Sequence, residues 1–328
     1  DTFLVDGNDQ GTDRYNGGAS TDKIQGTDGD QTLVVSHLTA GDSIEEIDLG
    51  TGTNVISGTS GNNHINLSNT VLTGVDRIEA GAGHDYVVGS SGDDTIVGGT
   101  GNDRLYGGDG NDTFLVDGND QGTDRYNGGA STDKIQGTDG DQTLVVSHLT
   151  SGDSIEEIDL GTGTNIISGT SGNNTIDLSN TTLTGVDRID AGAGNDTLIG
   201  SDDDDILLGG LGNDYLTGGD GNDSFTFSLS MNGAGSVDGQ GDDTIMDFGT
   251  GDKLVFEDIL ADLGSVADPL AALDNLGGVT VVDGGAGRNV SVNFENGDSI
   301  TLRGLGTVGN TLDSLQDLED HGIIIDVM

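Results

Sequence analysis

Aspartate recurs every nine residues at Asp85, Asp94, Asp103 and Asp112, and again at Asp196, Asp205, Asp214 and Asp223. The first run reads AGAGHDYVV, GSSGDDTIV, GGTGNDRLY and GGDGNDTFL from Ala80 to Leu115. The second reads AGAGNDTLI, GSDDDDILL, GGLGNDYLT and GGDGNDSFT from Ala191 to Thr226. Both follow G-G-x-G-x-D-x-U-x, where U is a large apolar residue. Glycines at positions one, two and four permit a sharp turn, because glycine alone reaches positive φ without penalty. Such a turn points several carbonyl oxygens to one side, and position six adds a carboxylate beside them. The chemistry on offer is capture of a cation by oxygen.

Position eight sends its apolar group inward while its neighbours face water, so each nonad is a half-coil ending in a short strand. Two nonads complete a coil, and residues eighteen apart stack on one edge. Asp85 should face Asp103, Asp94 should face Asp112, Asp196 should face Asp214, and Asp205 should face Asp223. Stacked coils sit ~4.8 Å apart, so paired carboxylates repel unless a cation lies between them. A hard ion taking six to eight oxygens, some from main chain, matches calcium, whereas magnesium demands a tighter octahedron. Zinc prefers histidine and cysteine, which these loops lack. Where the nonads are intact, this reading outweighs the alternative that the aspartates only cap turns.

Weaker nonads add Asp13, Asp22, Asp76, Asp124, Asp133, Asp187 and Asp243 to the candidate ligands, giving roughly eight or more calcium ions in all. Gln31, Gln142, Asn63 and Asn174 occupy position six without charge, so weak or missing sites are expected there. Asp203 stands where the third glycine belongs in GSDDDDILL, which puts that turn in question. With free calcium at ten times the dissociation constant, each site contributes about 1.4 kcal/mol and eight contribute roughly 11 kcal/mol. That is as large as the net stability of a typical domain. Metal binding and folding are therefore expected to be one event.

Asp1 to Thr39 recurs unchanged as Asp112 to Thr150, so the nonads sit inside a 111-residue repeat. Nested periods of this kind mean a solenoid. At ~4.8 Å per coil, two such units predict a rod of roughly 60 Å. The nonad register runs from Asn8 to Val34, fades between Val35 and Ser57, returns at Gly58 to Asn66 and Val71 to Glu79, and ends with Asp238 to Met246. The faded stretch alternates short apolar clusters with Gly and Thr, as coils of strand without regular metal loops would. Beyond it the composition changes. A helix is expected within Asp268 to Leu276, a hairpin turning at Glu295-Asn296-Gly297-Asp298, and a short amphipathic helix over Thr311 to His321. The expected organisation is roll unit 1 over 1–111, roll unit 2 over 112–246 and a β-rich C-terminal cap with short helices over 247–328.

Composition agrees with a narrow solenoid. Among 328 residues there are 58 Asp and Glu against 10 Lys and Arg, a formal charge of −48, with 60 glycines, one proline and no cysteine or tryptophan. Hydrophobic residues are only 31%, against roughly 45–50% in ordinary globular domains. Such a charge opposes compaction until cations enter. It also disfavours nucleic acid, where affinity comes from basic groups displacing counterions. No apolar run approaches the ~18 residues of a membrane span. DTFLVDGNDQ carries no Sec-type signal, and Asp1 matches position six of a nonad, as in a piece of a longer protein.

Residues 1–246 resemble the RTX repeat region of bacterial proteins secreted by the type I pathway, and the tail from Asp247, with DFGTGDKL, resembles its C-terminal flank. The resemblance implies an all-β fold, a right-handed parallel β-roll or β-helix. It also implies calcium shared between position-six aspartates of loops n and n+2, with main-chain carbonyls of the same loops. Carried onto this chain, those carbonyls include Gly98, Thr100, Gly107, Asp109, Gly209, Leu211, Gly218 and Asp220. The type I secretion machinery is the implied partner during export, and the terminus GIIIDVM the implied export signal.

The resemblance leaves activity open, because such tails accompany enzymes, toxins, adhesins and surface layers. The chain has no H-E-x-x-H or G-x-S-x-G motif. His37 and His148 are repeat equivalents, and His64 and His84 become Thr175 and Asn195 in the other copy, so none is expected to be catalytic. His321 is expected near the end of the last helix, where a cation favours the dipole. The expected role is a non-enzymatic calcium-folded scaffold of a secreted or cell-surface adhesin or matrix protein of a Gram-negative bacterium. A self-assembling surface layer or filament, and the tail of a secreted enzyme with its catalytic domain upstream, are the alternatives. Carbohydrate contact bridged by calcium and self-association stay open.

Overall fold

The computed structural model describes residues 1–7, 13–117, 122–231, 237–238, 240–258, 268–275, 279–283, 288–303, 305, 312, 314–320 and 323–327. It is a β-solenoid of short parallel strands. Many strands are three residues long with only the middle residue buried, as in Lys23–Gln25, Lys134–Gln136 and Thr197–Ile199. That is the x-U-x triplet of the nonad laid down as strand. The U residues stack in a file along each sheet, Ile24 over Ile47 in one and Ile56, Ile78, Ile96 and Phe114 in another, all essentially inaccessible. One large side chain per half-coil fills a coil this narrow, which is why so low an apolar fraction suffices.

The chain divides into two compact units, residues 1–165 with 183–186, and residues 166–182 with 187–328. In the first unit the coils change shape along the chain. Strands Gln31–Val34, His37–Leu38 and Glu46–Asp48 lie on three different sheets, and Asn54–Ser57, His64–Asn66 and Val71–Thr73 repeat that triangle above them. From Arg77–Ala82 to Lys134–Gln136 each coil has two strands, Tyr86–Val88 with Thr95–Thr100 and then Arg104–Asp109 with Thr113–Leu115, and the three-sheet coil returns at Thr143–Val145, His148–Leu149 and Glu157–Asp159. Corner-to-corner spacing falls accordingly, from 23 residues between Gln31 and Asn54 to 18 between Asp94 and Asp112. The faded stretch of the sequence is thus where a third strand is added to each coil. Leu38, Ile44 and Ile47 all turn inward there, giving apolar spacing that no nonad contains.

Outside this core, His37, His64, Tyr86 and Tyr106 form a column of rings, with centroids 5.5, 4.8 and 5.4 Å apart in turn. His37 and His64 pack edge to face on the strand surface.

In the second unit, Ile166–Ser168, Arg188–Asp190, Ile206–Leu208, Ser224–Ser228, Lys253–Glu257 and Ile324–Val327 form one parallel sheet. Thr175–Asp177, Thr197–Ile199, Tyr215–Thr217, Asp242–Ile245 and Ser299–Leu302 form the other. Strand Ile324–Val327 therefore extends the roll itself. Val290–Phe294 and Ser299–Leu302 pair antiparallel about the expected turn, and Val279–Asp283 adds beyond them. Helices Pro269–Asn275 and Leu315–Asp320 lie within the two expected helical stretches, and Leu270, Leu273, Leu312, Leu315 and Leu318 are buried. His321 lies outside the described residues. No helix among the described residues is long and apolar enough to cross a membrane.

Candidate metal centres

At the turns, the main-chain N–H of one position-six residue donates to the carboxylate of the next coil. Asp85 donates to Asp103 Oδ1 at 2.7 Å, Asp94 to Asp112 at 2.8 Å, Asp196 to Asp214 at 2.7 Å and Asp205 to Asp223 at 3.0 Å. These are the four pairs the eighteen-residue spacing requires. Longer loops continue the same ladders, Asp103 to Asp124, Asp112 to Asp133 and Asp214 to Asp243. A backbone donor on one oxygen fixes each carboxylate and aims the other oxygen into the corner.

At most of these corners the second oxygen is buried and meets no donor, whereas Oδ2 of Asp94 and Asp205 accepts the N–H of Ser90 and Ser201 at 2.6 Å and that of Asp124 accepts from the Tyr126 hydroxyl at 3.4 Å. Oδ2 of Asp22, Asp85, Asp103, Asp112, Asp133, Asp196, Asp214 and Asp223 has no hydrogen-bond partner. A buried acceptor left unpaired costs about 1–3 kcal/mol, and more when charged. Burial pushes the Asp112 carboxyl up to about 7, with Asp94 and Asp133 adding repulsion. Burial raises Asp214 and Asp223 to about 6 and Asp243 to about 8, with neighbouring aspartates contributing in each case. Asp85, Asp94, Asp103, Asp133, Asp196 and Asp205 are raised by burial too. Anions held this way need positive charge.

The first glycine of each nonad keeps the corner open. A Cβ on Gly98 would lie 2.7 Å from Asp103 Oδ2 and 3.4 Å from Asp124 Oδ2, so carboxylates from successive coils converge over that glycine. On Gly89 it would lie 2.6 Å from Asp94 Oδ2 and would strike the Gly107 carbonyl, and Gly200 meets Asp205 and Gly218 likewise. The carbonyls of Gly107 and Gly218 thus face their corners. Those of Thr100 and Leu211 accept N–H bonds from Gly83 and Gly194 at 2.8 and 2.7 Å. Among the described residues no group of three or more His, Cys, Asp or Glu side chains is placed to hold a metal. A donor set of two carboxylates and several carbonyls suits a hard, oxygen-seeking ion and disfavours zinc.

A scan against family models matches residues 40–69, 72–96, 88–120, 152–180, 181–216 and 200–227 to the RTX calcium-binding nonapeptide repeat. The repeats are RTX repeats. No curated protein matches the chain. Among solved structures, the chain is similar to the extracellular lipase LipA from Serratia marcescens, at 19% identity and a TM-score of 0.32 over 83% of this chain. It spans 45% of that structure's length.

Not every candidate aspartate joins an RTX corner in the same way. Asp13, Asp76 and Asp187 are exposed, and Asp76 spends Oδ2 on the Asn54 N–H at 2.6 Å. Asp22 and Asp133 are buried, but their N–H groups go to Glu45 and Glu156 at 2.7 and 2.8 Å. The sequence reading missed both glutamates because they lie in the three-strand stretch. It also missed Asp252, whose Oδ1 accepts from Asp223 N–H at 3.0 Å. The signal was present in GTGDKL, a shortened nonad with Gly251 at φ +106° and Leu254 buried at the U position. Asp203 proves compatible with its turn. In its nonad Ser201 Oγ accepts the Asp203 N–H at 3.2 Å, as Ser90 Oγ accepts Gly92 N–H at 3.1 Å, and neither position four takes positive φ.

Proposed function

We propose that this chain is a non-catalytic, calcium-folded roll belonging to a larger secreted or surface-attached bacterial protein, an adhesin or matrix scaffold exported by the type I route. The reading is carried by the ladder of buried carboxylates, most of whose second oxygens have no donor. Asp85, Asp94, Asp103, Asp112, Asp124 and Asp133 in one unit, with Asp196, Asp205, Asp214, Asp223 and Asp243 in the other, would hold the ions together with loop carbonyls. Calcium, when bound, supplies the positive charge that lets these carboxylates stay ionised inside the stack. Modules outside the cell bind calcium at about 0.1–1 mM, so ordering belongs outside rather than inside. Paired turns repeated coil after coil serve extension better than a single reaction centre.

The test is circular dichroism and bound-calcium measurement on the full chain, in chelator and in millimolar calcium. Strand signal that grows with calcium uptake supports the reading. Full strand content in chelator with no calcium taken up would sink it.

A further inference from the structure

Asn63 closes its corner differently from every aspartate. Its Nδ2 donates to the carbonyls of Gly61, Thr59 (3.4 Å) and Ala80 (3.1 Å) and to Asp85 Oδ1 (2.8 Å). Its Oδ1 accepts from Thr59 N–H at 3.0 Å and Thr59 Oγ1 at 2.9 Å. Donors on one side and acceptors on the other fix which way the amide points. Two N–H bonds are thus shared among four oxygens, three from main chain and one from the next coil's carboxylate. That is the surroundings of a small cation more than of an ordinary amide.

The register shows whose place the nitrogen takes. Ala80 O lies over Gly58 as Gly107 O lies over Gly89, so the Asn63 and Asp94 corners share one local geometry, though they belong to opposite edges of the roll. The oxygens around Asn63 Nδ2 correspond to those of Ser90, Gly92 and Gly107 with the carboxylate of Asp112. The second unit repeats the arrangement. Asn174 Nδ2 donates to Gly172 O, Thr170 O (3.4 Å), Ala191 O (3.1 Å) and Asp196 Oδ1 (3.0 Å). Nearby corners are amide-filled as well. Asn54 Nδ2 reaches Gly50 O at 3.3 Å and Gly74 O at 2.6 Å, and Gln31 Nε2 reaches Gly29 O at 3.2 Å.

We propose that Asn63 and Asn174 are built-in substitutes for the cation, closing their corners without metal, so that the coils they and their amide neighbours hold are ordered before calcium arrives. The inference rests on the calcium reading of the carboxylate corners. It follows from charge balance: an amide brings donors to the carbonyls and adds no second anion beside Asp85 or Asp196. The amide coils then present a finished edge on which the calcium-dependent ladders stack. Position six decides, corner by corner, whether metal is needed.

The experiment uses the full chain with calcium chloride and a competing chromophoric chelator, alongside hydrogen exchange. In excess chelator, amides of Asn54–Ser57 and His64–Asn66 should exchange at least about tenfold more slowly than those of Thr95–Thr100 and Arg104–Asp109. Asn63→Asp should lose that protection in chelator, regain it in calcium, and bind one more ion per chain. Asn63→Ala should lose protection in both and gain no ion. Calcium uptake by the wild type, with equal exchange of the two sets of strands or no extra ion in Asn63→Asp, overturns the amide assignment alone. A wild type that takes up no calcium overturns the reading beneath it.

Discussion

The N–H of Asp94 donates to Asp112 Oδ1 at 2.8 Å, while Asp112 Oδ2 lies buried with no partner. One carboxylate is thus both a backbone acceptor for the coil before it and an open ligand. Asp112→Asn keeps the shape and the Oδ1 acceptor but removes the charge. The variant should fold in calcium with at least one ion fewer per chain, and the midpoint of its calcium titration by circular dichroism should rise. An unchanged stoichiometry would remove Asp112 from the ligand set.

Asp103 stands between Asp85 and Asp124 in the same way. Truncation at Asp103→Ala removes the acceptor together with the ligand and should weaken two neighbouring coils. Loss of a hydrogen bond to a charged group costs about 1.5–3 kcal/mol before any metal is counted. The expected readout is a calcium titration shifted to higher concentration, and one that overlays the wild type would count against the pairing.

The ladders were legible in the sequence because the nonad fixes turn, strand and carboxylate together, leaving little for tertiary context to decide. Where the nonad lapses, that ceases to hold. Nothing in SHLTAGDSIEEIDL says that Leu38 and Ile47 belong to different faces of a three-strand coil, since only packing selects which apolar residues turn inward. Glu45 and Glu156 were invisible for the same reason, their long side chains reaching an edge that aspartate serves elsewhere. Asp252 shows the opposite failure, a motif overlooked because the loop before it lengthens the coil to 29 residues.

Protons should partly replace calcium. Asp112 at about 7, Asp214 and Asp223 at about 6 and Asp243 at about 8 all lie above the ordinary carboxylate value of 3.8. The metal-free fold therefore binds more protons than the unfolded chain, and stability falls as pH rises through that window. The stabilising contribution is fully present below the ordinary value, is lost progressively as pH rises above it, and is gone once pH has passed the folded values of about 6 to 8. In excess chelator, strand content should be greater near pH 4.5 than at pH 8.5. In calcium the order should reverse, because protons compete for the same oxygens. Circular dichroism against pH in the two buffers checks both signs.

Turn chemistry divides the nonads into two kinds. Gly101 sits at φ +127° with a Cβ position driven into the Gly83 carbonyl, whereas Gly92 has ordinary φ and only Ser90 Oγ nearby, at 3.8 Å. Gly101→Ala should cost more than about 2 kcal/mol, from left-handed strain and the clash together. At Gly92→Ala the cost should be near zero, since Asp203 already occupies the matching position in the other unit. Chemical denaturation in saturating calcium separates the two. Equal losses would refute the serine-held turn.

Asp274 caps a helix 41 residues away, its Oδ1 and Oδ2 accepting from Leu315 and Gln316 N–H at 2.8 and 3.0 Å. Six residues cannot sustain a helix alone, because nucleation outweighs the few bonds gained. The carboxylate supplies what the local sequence lacks, and Leu315 and Leu318 bury beneath it. Asp274→Ala should destabilise this segment by about 1 kcal/mol, the usual worth of an N-terminal cap. Exchange of the Leu318 N–H, which bonds Ser314 O at 3.2 Å, should accelerate about fivefold, while the carboxylate ladders keep their calcium. Loss of calcium in this variant would mean that the end of the roll governs its corners, and would overturn the view of each corner as a local device.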